Sequence, residues 1–97
     1  MENGFRIVAV VTMSEQDVEG GQRYEDLVLD LLPGFDSRVE RRLRTPDGRT
    51  EVQELWFPSR DVMAAVMVHP ARLAARDALG VNAPTTEVYE VDEVPRR

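Results

Sequence analysis

Residues 38–57 read RVERRLRTPDGRTEVQELWF, and this stretch decides the fold because it predicts a β-hairpin. Alternating segments stand on both sides of TPDG at 45–48. The proline ring forbids the positive φ that a two-residue type I′ turn would need at Pro46. A type I turn over Pro46 and Asp47, followed by Gly48 in the left-handed region as a bulge, fits the sequence instead.

This turn also predicts which side chains share a face of the hairpin. We expect Thr45 to lie opposite Arg49, so that Arg42 pairs with Val52. One face then carries Val39, Arg41, Leu43, Gln53, Leu55 and Phe57. The other face carries Arg38, Glu40, Arg42, Arg44, Val52, Glu54 and Trp56. A slip of one residue would exchange the partners on each face.

A strand and a helix are predicted before the hairpin. FRIVAVVTM at residues 5–13 is apolar on both alternating faces, which is typical of a central strand. Residues 14–21 are polar and end in Gly20-Gly21, which favours a loop. An amphipathic helix follows, with Glu25 off its apolar stripe, and Pro33-Gly34 ends it. The stripe consists of Tyr24, Leu27, Val28 and Leu31.

A broken helix and a last strand are predicted after the hairpin. Ser59 is a suitable N-cap, and Pro70 interrupts the helix because it cannot donate to the hydrogen-bond ladder. A second helical piece over 71–79 ends at Gly80, and residues 85–94 alternate as a strand. The order predicts one ferredoxin-like βαββαβ domain over residues 1–97, with 95–97 as a tail. Its four-stranded antiparallel sheet would carry the helices on one face.

The opposite face of that sheet would be apolar, because it would expose Val52, Trp56 and one set of first-strand residues to water. That set is either Val8 and Val10 or Phe5, Ile7 and Val11. A monomer rarely leaves so large an apolar patch in solvent. Packing against a second copy would bury it, which predicts a homodimer in the form of a dimeric α/β barrel. The alternative is that loops or the tail cover this face.

Composition excludes several classes of protein. The chain of 97 residues has no cysteine, one histidine (His69) and a formal charge of −6, and all twelve basic residues are arginine. Thiolate sites, multi-histidine metal sites and a lysine Schiff base are therefore excluded, and we expect neither a metal nor a nucleic-acid partner. No apolar run could span a membrane, and Met1 to Gly4 lack the layout of a signal peptide, so a cytoplasmic protein is expected.

Two segments carry a resemblance to a known family. YEDLVLDLLPGF at 24–35 and ELWFPSRDVMAA at 54–65, followed by His69-Pro70, resemble the EthD-like branch of the dimeric α/β-barrel superfamily. The resemblance implies a small-molecule-binding dimer, and relatives include oxygenases that use no metal or flavin. Members often carry a histidine in the first helix, where this chain has arginine, tyrosine and acidic residues at 23–26.

Candidate catalytic residues follow from the predicted barrel interior. Glu54 beside Trp56 could transfer protons, because burial next to an indole raises a carboxyl pKa. Arg42 and Arg38 could hold a phenolate or carboxylate oxygen. The alternative is that these arginines pair with Glu40 and Glu54 while Trp56 fills a dimer core.

Four further residues are weaker candidates. Tyr24 and Tyr89 could each offer a hydroxyl to a ligand, and Val52 could line the pocket, although core packing accounts for such residues as well. His69 is a candidate catalytic residue, with a cationic imidazole at a helix terminus as the alternative.

We therefore predict a homodimer that binds a small apolar or phenolic molecule. If it is an enzyme, it would oxygenate or isomerise an activated carbon acid without a cofactor. The second hypothesis is a non-catalytic dimer, either a ligand-binding protein or a stress-related structural protein.

Overall fold

The computed structural model describes residues 4–95, which form seven main elements. In chain order these are β1 (Phe5–Thr12), α1 (Val18–Leu31), β2 (Arg38–Arg44), β3 (Thr50–Phe57), α2 (Arg60–Met67), α3 (Pro70–Leu79) and β4 (Thr85–Val91). Short 3-10 turns at Leu32–Phe35 and Gly80–Asn82 extend α1 and α3. Of the predicted tail, residues 96–97 lie outside the described range, as do residues 1–3 at the other end.

The strands form one antiparallel sheet in the order β2-β3-β1-β4. This order, with the helices on one face, confirms the predicted ferredoxin-like βαββαβ fold. β1 lies in the middle of the sheet because it carries apolar residues on both of its faces. Its helix-facing residues Ile7, Ala9 and Val11 are fully buried, whereas Val8 and Val10 on the other face are half-buried.

The main core lies between the sheet and the helices. Leu55 and Phe57 of β3 pack there against Leu29 and Leu32 of the first helical segment and Val66 of α2. Ser59 caps α2, with its hydroxyl accepting a hydrogen bond from Val62 N at 3.1 Å, as predicted. No helix within residues 4–95 is both long and apolar enough to cross a membrane.

The predicted register of the hairpin is wrong near its turn. Arg42 lies opposite Gln53 and Arg44 opposite Glu51, one residue away from the prediction. The cause is Arg49, which belongs to the turn: its N–H donates to the Asp47 carboxylate, and its carbonyl accepts from Met13 N. The predicted features of the turn are present, because Gly48 N donates to Thr45 O and Gly48 has a φ of +76°.

A β-bulge restores the predicted register farther along the hairpin. The register shifts between Val39 and Arg41, so that Arg38 lies opposite Trp56 as predicted. Between the bulge and the turn, however, the faces of β2 are exchanged. Arg42 and Arg44 therefore lie on the helix side of the sheet, and Arg41 and Leu43 lie on the open face, by which we mean the face without helices.

The first helix also differs from the prediction at its start and on its buried side. It begins at Val18, so Gly20 and Gly21 are helical rather than part of a loop. A Cβ at Gly21 would come within 2.7 Å of Met13 Sδ, so glycine allows the helix to approach the sheet closely. Glu25 is buried, whereas Leu27 and Leu31 of the predicted stripe are only half-buried. The last strand ends at Val91, three residues earlier than predicted.

Candidate functional site

A cavity of about 170 Å³ lies between the helices and the sheet. Its wall is mainly apolar, and part of that wall is formed by Ile7, Ala9, Val28, Leu29, Leu55 and Phe57. Six polar side chains also line it, namely Tyr24, Glu25, Gln53, Arg72, Arg76 and Thr86. An apolar chamber with a few polar groups is the usual composition of a small-molecule site.

The cavity opens beside the edge strand β4. Residues Thr85 to Glu90 of this strand are all exposed, including Thr86 and Val88, which line the cavity. Arg76 on α3 is also exposed and lines the same space. We call the gap between Arg76, Thr86 and Val88 the mouth of the cavity.

The hydroxyl of Tyr24 is a buried polar group without a partner. Tyr24 projects from α1 into the cavity wall and is 6% exposed, yet its hydroxyl oxygen has no hydrogen-bond partner among the described residues. Such a group costs free energy unless a water molecule or a ligand satisfies it. The hydroxyl is therefore available to a polar group of a ligand.

Glu25 is a buried carboxyl in the same wall. It is 5% exposed and accepts a hydrogen bond from Gln53 Nε2 at 2.8 Å. Burial raises the pKa of the Glu25 carboxyl above its usual value of 4.5, and the negative charge of Glu51 adds to the rise. The hydrogen bond from Gln53 and the charges of Arg42 and Arg72 oppose this rise without cancelling it. A carboxyl with a raised pKa is suited to exchange protons with a bound molecule.

Gln53 connects Glu25 to a second buried carboxylate, Glu51. Gln53 Nε2 also donates to Glu51 Oε2 at 2.6 Å. Arg42 binds Glu51 through two nitrogens at 2.8 and 3.1 Å, and Arg44 binds it at 2.7 and 3.0 Å. Burial alone would raise the pKa of Glu51, but the hydrogen bonds from Arg42, Gln53 and Arg44 outweigh it and lower that pKa.

Two carboxyls joined by one amide thus have opposite tendencies. Glu51 is held as an anion by two arginines, whereas Glu25 faces a mainly apolar cavity and is pushed toward its neutral form. Diverging environments of this kind separate a structural carboxylate from one that can act as an acid or base.

Several solved structures have a fold similar to that of this chain. The chain matches a protein of Nitrosomonas europaea classed as an antibiotic biosynthesis monooxygenase, with a TM-score of 0.68, 12% identity, and coverage of 94% of this chain and 92% of that one. A Caulobacter crescentus protein of the same class gives 0.68 at 14% identity, covering 95% and 92%. SnoaB, a cofactor-independent oxygenase from Streptomyces nogalater, gives 0.58 at 17% identity, covering 97% and 96%.

This chain shares the βαββαβ ferredoxin-like fold of these structures. No family model matches the chain, and no curated protein matches it. The comparisons therefore establish the fold alone, and the chemistry depends on the chain's own side chains.

Five of the eight predicted site residues lie together on the open face. These are Arg38, Val52, Glu54, Trp56 and Tyr89. The guanidinium of Arg38 lies over the ring of Trp56, 4.3 Å from its centroid. Glu54 lines a shallow depression with Arg6 and Glu40, which bind each other at 2.9 Å. This face meets the cavity nowhere, because the sheet lies between them.

The remaining predicted site residues lie elsewhere. Tyr24 lines the cavity. Arg42 lies on the helix side, where it binds Glu51 and, at 2.8 Å, Asp26, so the prediction that it shares a face with Arg38 and Glu54 is wrong. The extra turn residue, Arg49, is the physical reason.

His69 has a different helix-terminal role from the one expected. It is the N-cap of α3, where its Nδ1 accepts a hydrogen bond from Ala71 N at 3.1 Å. The ring packs edge-on against Phe35 at 5.9 Å and does not line the cavity.

The cavity polar groups Glu25, Gln53, Arg72 and Arg76 were missed from the sequence. Gln53 offered one signal, because it interrupts the helix-facing series of Leu55 and Phe57 with an amide that needs a buried partner. Glu25 offered another, since it stands three positions before Val28 and one after Tyr24. Within residues 4–95 no cluster of three His, Asp or Glu side chains has the arrangement of a metal site.

Proposed function

We propose that this protein is a cytoplasmic homodimer that binds a small aromatic or phenolic molecule in the cavity and oxygenates or isomerises it without a cofactor. The observation that carries the proposal is the unpartnered, buried hydroxyl of Tyr24 beside the raised-pKa carboxyl of Glu25 in a mainly apolar wall. If no ligand used these two groups, replacing both by apolar residues would stabilise the protein, because unsatisfied buried polar groups cost free energy.

The size of the cavity limits the substrate to about one ring. A volume of about 170 Å³ is below the roughly 300 Å³ at which drug-sized pockets begin. An apolar cavity of about 150 Å³ is nevertheless sufficient for benzene. We therefore propose a single-ring carbon acid rather than a fused polyketide.

The chemistry follows from the two groups. The Tyr24 hydroxyl would donate to a phenolic or carbonyl oxygen, and the Glu25 carboxylate would take a proton from the adjacent activated CH₂ group. Returning the proton at another carbon completes an isomerisation. For oxygenation the co-substrate is O₂, which accepts one electron from the carbanion. The resulting superoxide and carbon radical then combine to form a peroxide. Protonation by Glu25 and loss of water then convert CH₂ plus O₂ into C=O plus H₂O.

Oxygen consumption with single-ring carbon acids, measured on the metal-free protein, tests this proposal. Wild type should consume one O₂ for each ketone formed, and Glu25→Gln should abolish turnover while binding persists. Retention of turnover in Glu25→Gln, or the absence of any aromatic binding, would contradict the proposal.

A second candidate site is the chamber that two copies would enclose between their open faces. Arg38, Trp56 and Glu54 share this face, with the arginine stacked on the indole ring, so Glu54 could transfer protons there. Loss of turnover in Glu54→Gln with full activity in Glu25→Gln would favour this chamber.

Residues 24–35 and 54–65 support the EthD-like branch as the proposed family. The alternative of a non-catalytic binding or stress-related dimer would show ligand binding, or neither binding nor turnover.

A further inference from the structure

Two arginines on one helix line the cavity, and one of them, Arg76, lies at its mouth. Arg72 and Arg76 stand four residues apart on α3, a spacing that places both on one side of the helix, and both line the cavity. Arg72 is half-buried and Arg76 exposed. Two positive charges in the lining of one cavity are notable in a chain with a formal charge of −6.

Among residues 4–95, neither guanidinium forms an ion pair. Arg72 Nη1 donates to the Met67 carbonyl oxygen at 2.6 Å, and its other N–H groups make no hydrogen bond to the described residues. Within the described part of the chain, the Arg76 side chain has no hydrogen bond or ion pair. By contrast, Arg42 and Arg44, which lie on the same side of the sheet as the cavity, are both bound to Glu51.

We propose that Arg72 and Arg76 recognise a planar anionic group of the ligand, so that the substrate class is an aromatic carboxylate whose ring enters the cavity. This inference rests on the proposed function and specifies its ligand. Arginine's fork of N–H donors matches the two oxygens of a carboxylate. The carboxylate stays at the exposed mouth, where it keeps part of its hydration, and the apolar ring lies among Val28, Leu29 and Leu55.

Benzoate and benzamide are the probes, because they have nearly the same shape and differ in charge. Binding is followed by NMR of methionine methyl groups in the intact chain. Met63 and Met67 line the cavity, whereas Met13 is buried in a separate apolar cluster and serves as an internal control. Benzoate should shift the Met63 and Met67 signals, leave Met13 unchanged, and bind about tenfold tighter than benzamide, as expected for a charge-assisted pair.

Substitution then tests the arginines. Arg76→Gln should reduce benzoate affinity about tenfold toward that of benzamide, and Arg72→Gln should act in the same direction. Benzamide affinity should change less than about twofold in Arg76→Gln, because the neutral amide makes no charge-assisted contact there. Arg23→Gln is the matched control, since it removes one exposed charge from α1 outside the cavity and should leave both affinities unchanged.

The outcomes separate this inference from the proposed function. Equal affinities for the two probes, or a benzoate affinity that Arg72→Gln and Arg76→Gln both leave unchanged, would overturn the inference while leaving an aromatic site. Shifts of the Met13 signal alone would place the anion elsewhere and overturn it as well. If neither probe shifts Met63 and Met67, the proposed function itself is wrong.

Discussion

The side-chain amide of Gln53 donates a hydrogen bond to the buried carboxyl of Glu25, although 28 residues separate the two in sequence. The same nitrogen donates to Glu51, so the amide fixes both carboxyls at once. Among the described residues no arginine forms an ion pair with Glu25, and burial is the main cause of its raised pKa. The charged form of Glu25 therefore destabilises the folded state, and a role in binding or catalysis would explain the presence of this residue.

Replacement of Glu25 by glutamine should stabilise the protein at neutral pH. Because the folded state raises the pKa of Glu25 above 4.5, wild type is most stable below pH 4.5 with respect to this group, and loses stability as pH rises through the folded pKa. Glu25→Gln lacks this loss and can keep the hydrogen bond from Gln53. Urea denaturation from about pH 4 to pH 8 should show a stability difference that grows with pH in favour of the variant. A difference independent of pH would contradict the burial argument.

The unpartnered hydroxyl of Tyr24 predicts a gain in stability from Tyr24→Phe. Removing a buried hydroxyl without a partner should stabilise the fold by about 1 kcal/mol, and phenol should then bind about tenfold more weakly. Tyr89→Phe is the control, because that hydroxyl is exposed and donates to Glu87 at the surface. Thermal unfolding with and without phenol measures both effects. Destabilisation by Tyr24→Phe would show that the hydroxyl already has a partner.

Substitution of Arg42 should affect stability far more than substitution of its neighbour Arg41, because the register places the two on opposite faces of the sheet. Arg42→Ala should destabilise the protein by about 2 kcal/mol, since it removes one of the cations that compensate the fully buried Glu51. Arg41→Ala, on the open face, should change stability by less than about 0.5 kcal/mol. Because the pKa of Glu51 is lowered, the loss in Arg42→Ala should be largest above pH 4.5 and shrink as pH falls through the folded pKa. Equal effects of the two substitutions would contradict the observed register.

The open face predicts association of two copies. Val8, Val10, Val52 and Trp56 are only partly covered there, and Leu43 and Tyr89 are about half exposed. A charge at the centre of this surface, in Val52→Glu, should convert a dimer into a monomer in sedimentation equilibrium, because an unpaired carboxylate would have to be buried. Val81→Glu, at a residue that is 99% exposed, should leave the dimer intact. A wild-type chain that stays monomeric at high concentration would refute the proposed assembly.

Local signals in the sequence determined the elements and their order. The bounds of β2 and β3, the Ser59 cap, the break at Pro70 and the end of α3 at Gly80 all depend on residues close to one another in the chain. Apolar residues on both faces of β1 predicted its place in the middle of the sheet for the same reason. These features need no knowledge of distant contacts, because backbone geometry and side-chain period specify them directly.

Tertiary contacts alone decided the register and the site. Arg49 joined the turn because its carbonyl meets Met13 N, a residue 36 positions earlier, and the bulge at Val39/Arg41 then reversed the shift. Glu25 is buried because Gln53, which belongs to another element, supplies its hydrogen bond. The helical period of α1 could not reveal this, because it places acidic residues on the solvent side. The cavity is a gap among elements that are separated in sequence, so its position follows only from how those elements pack.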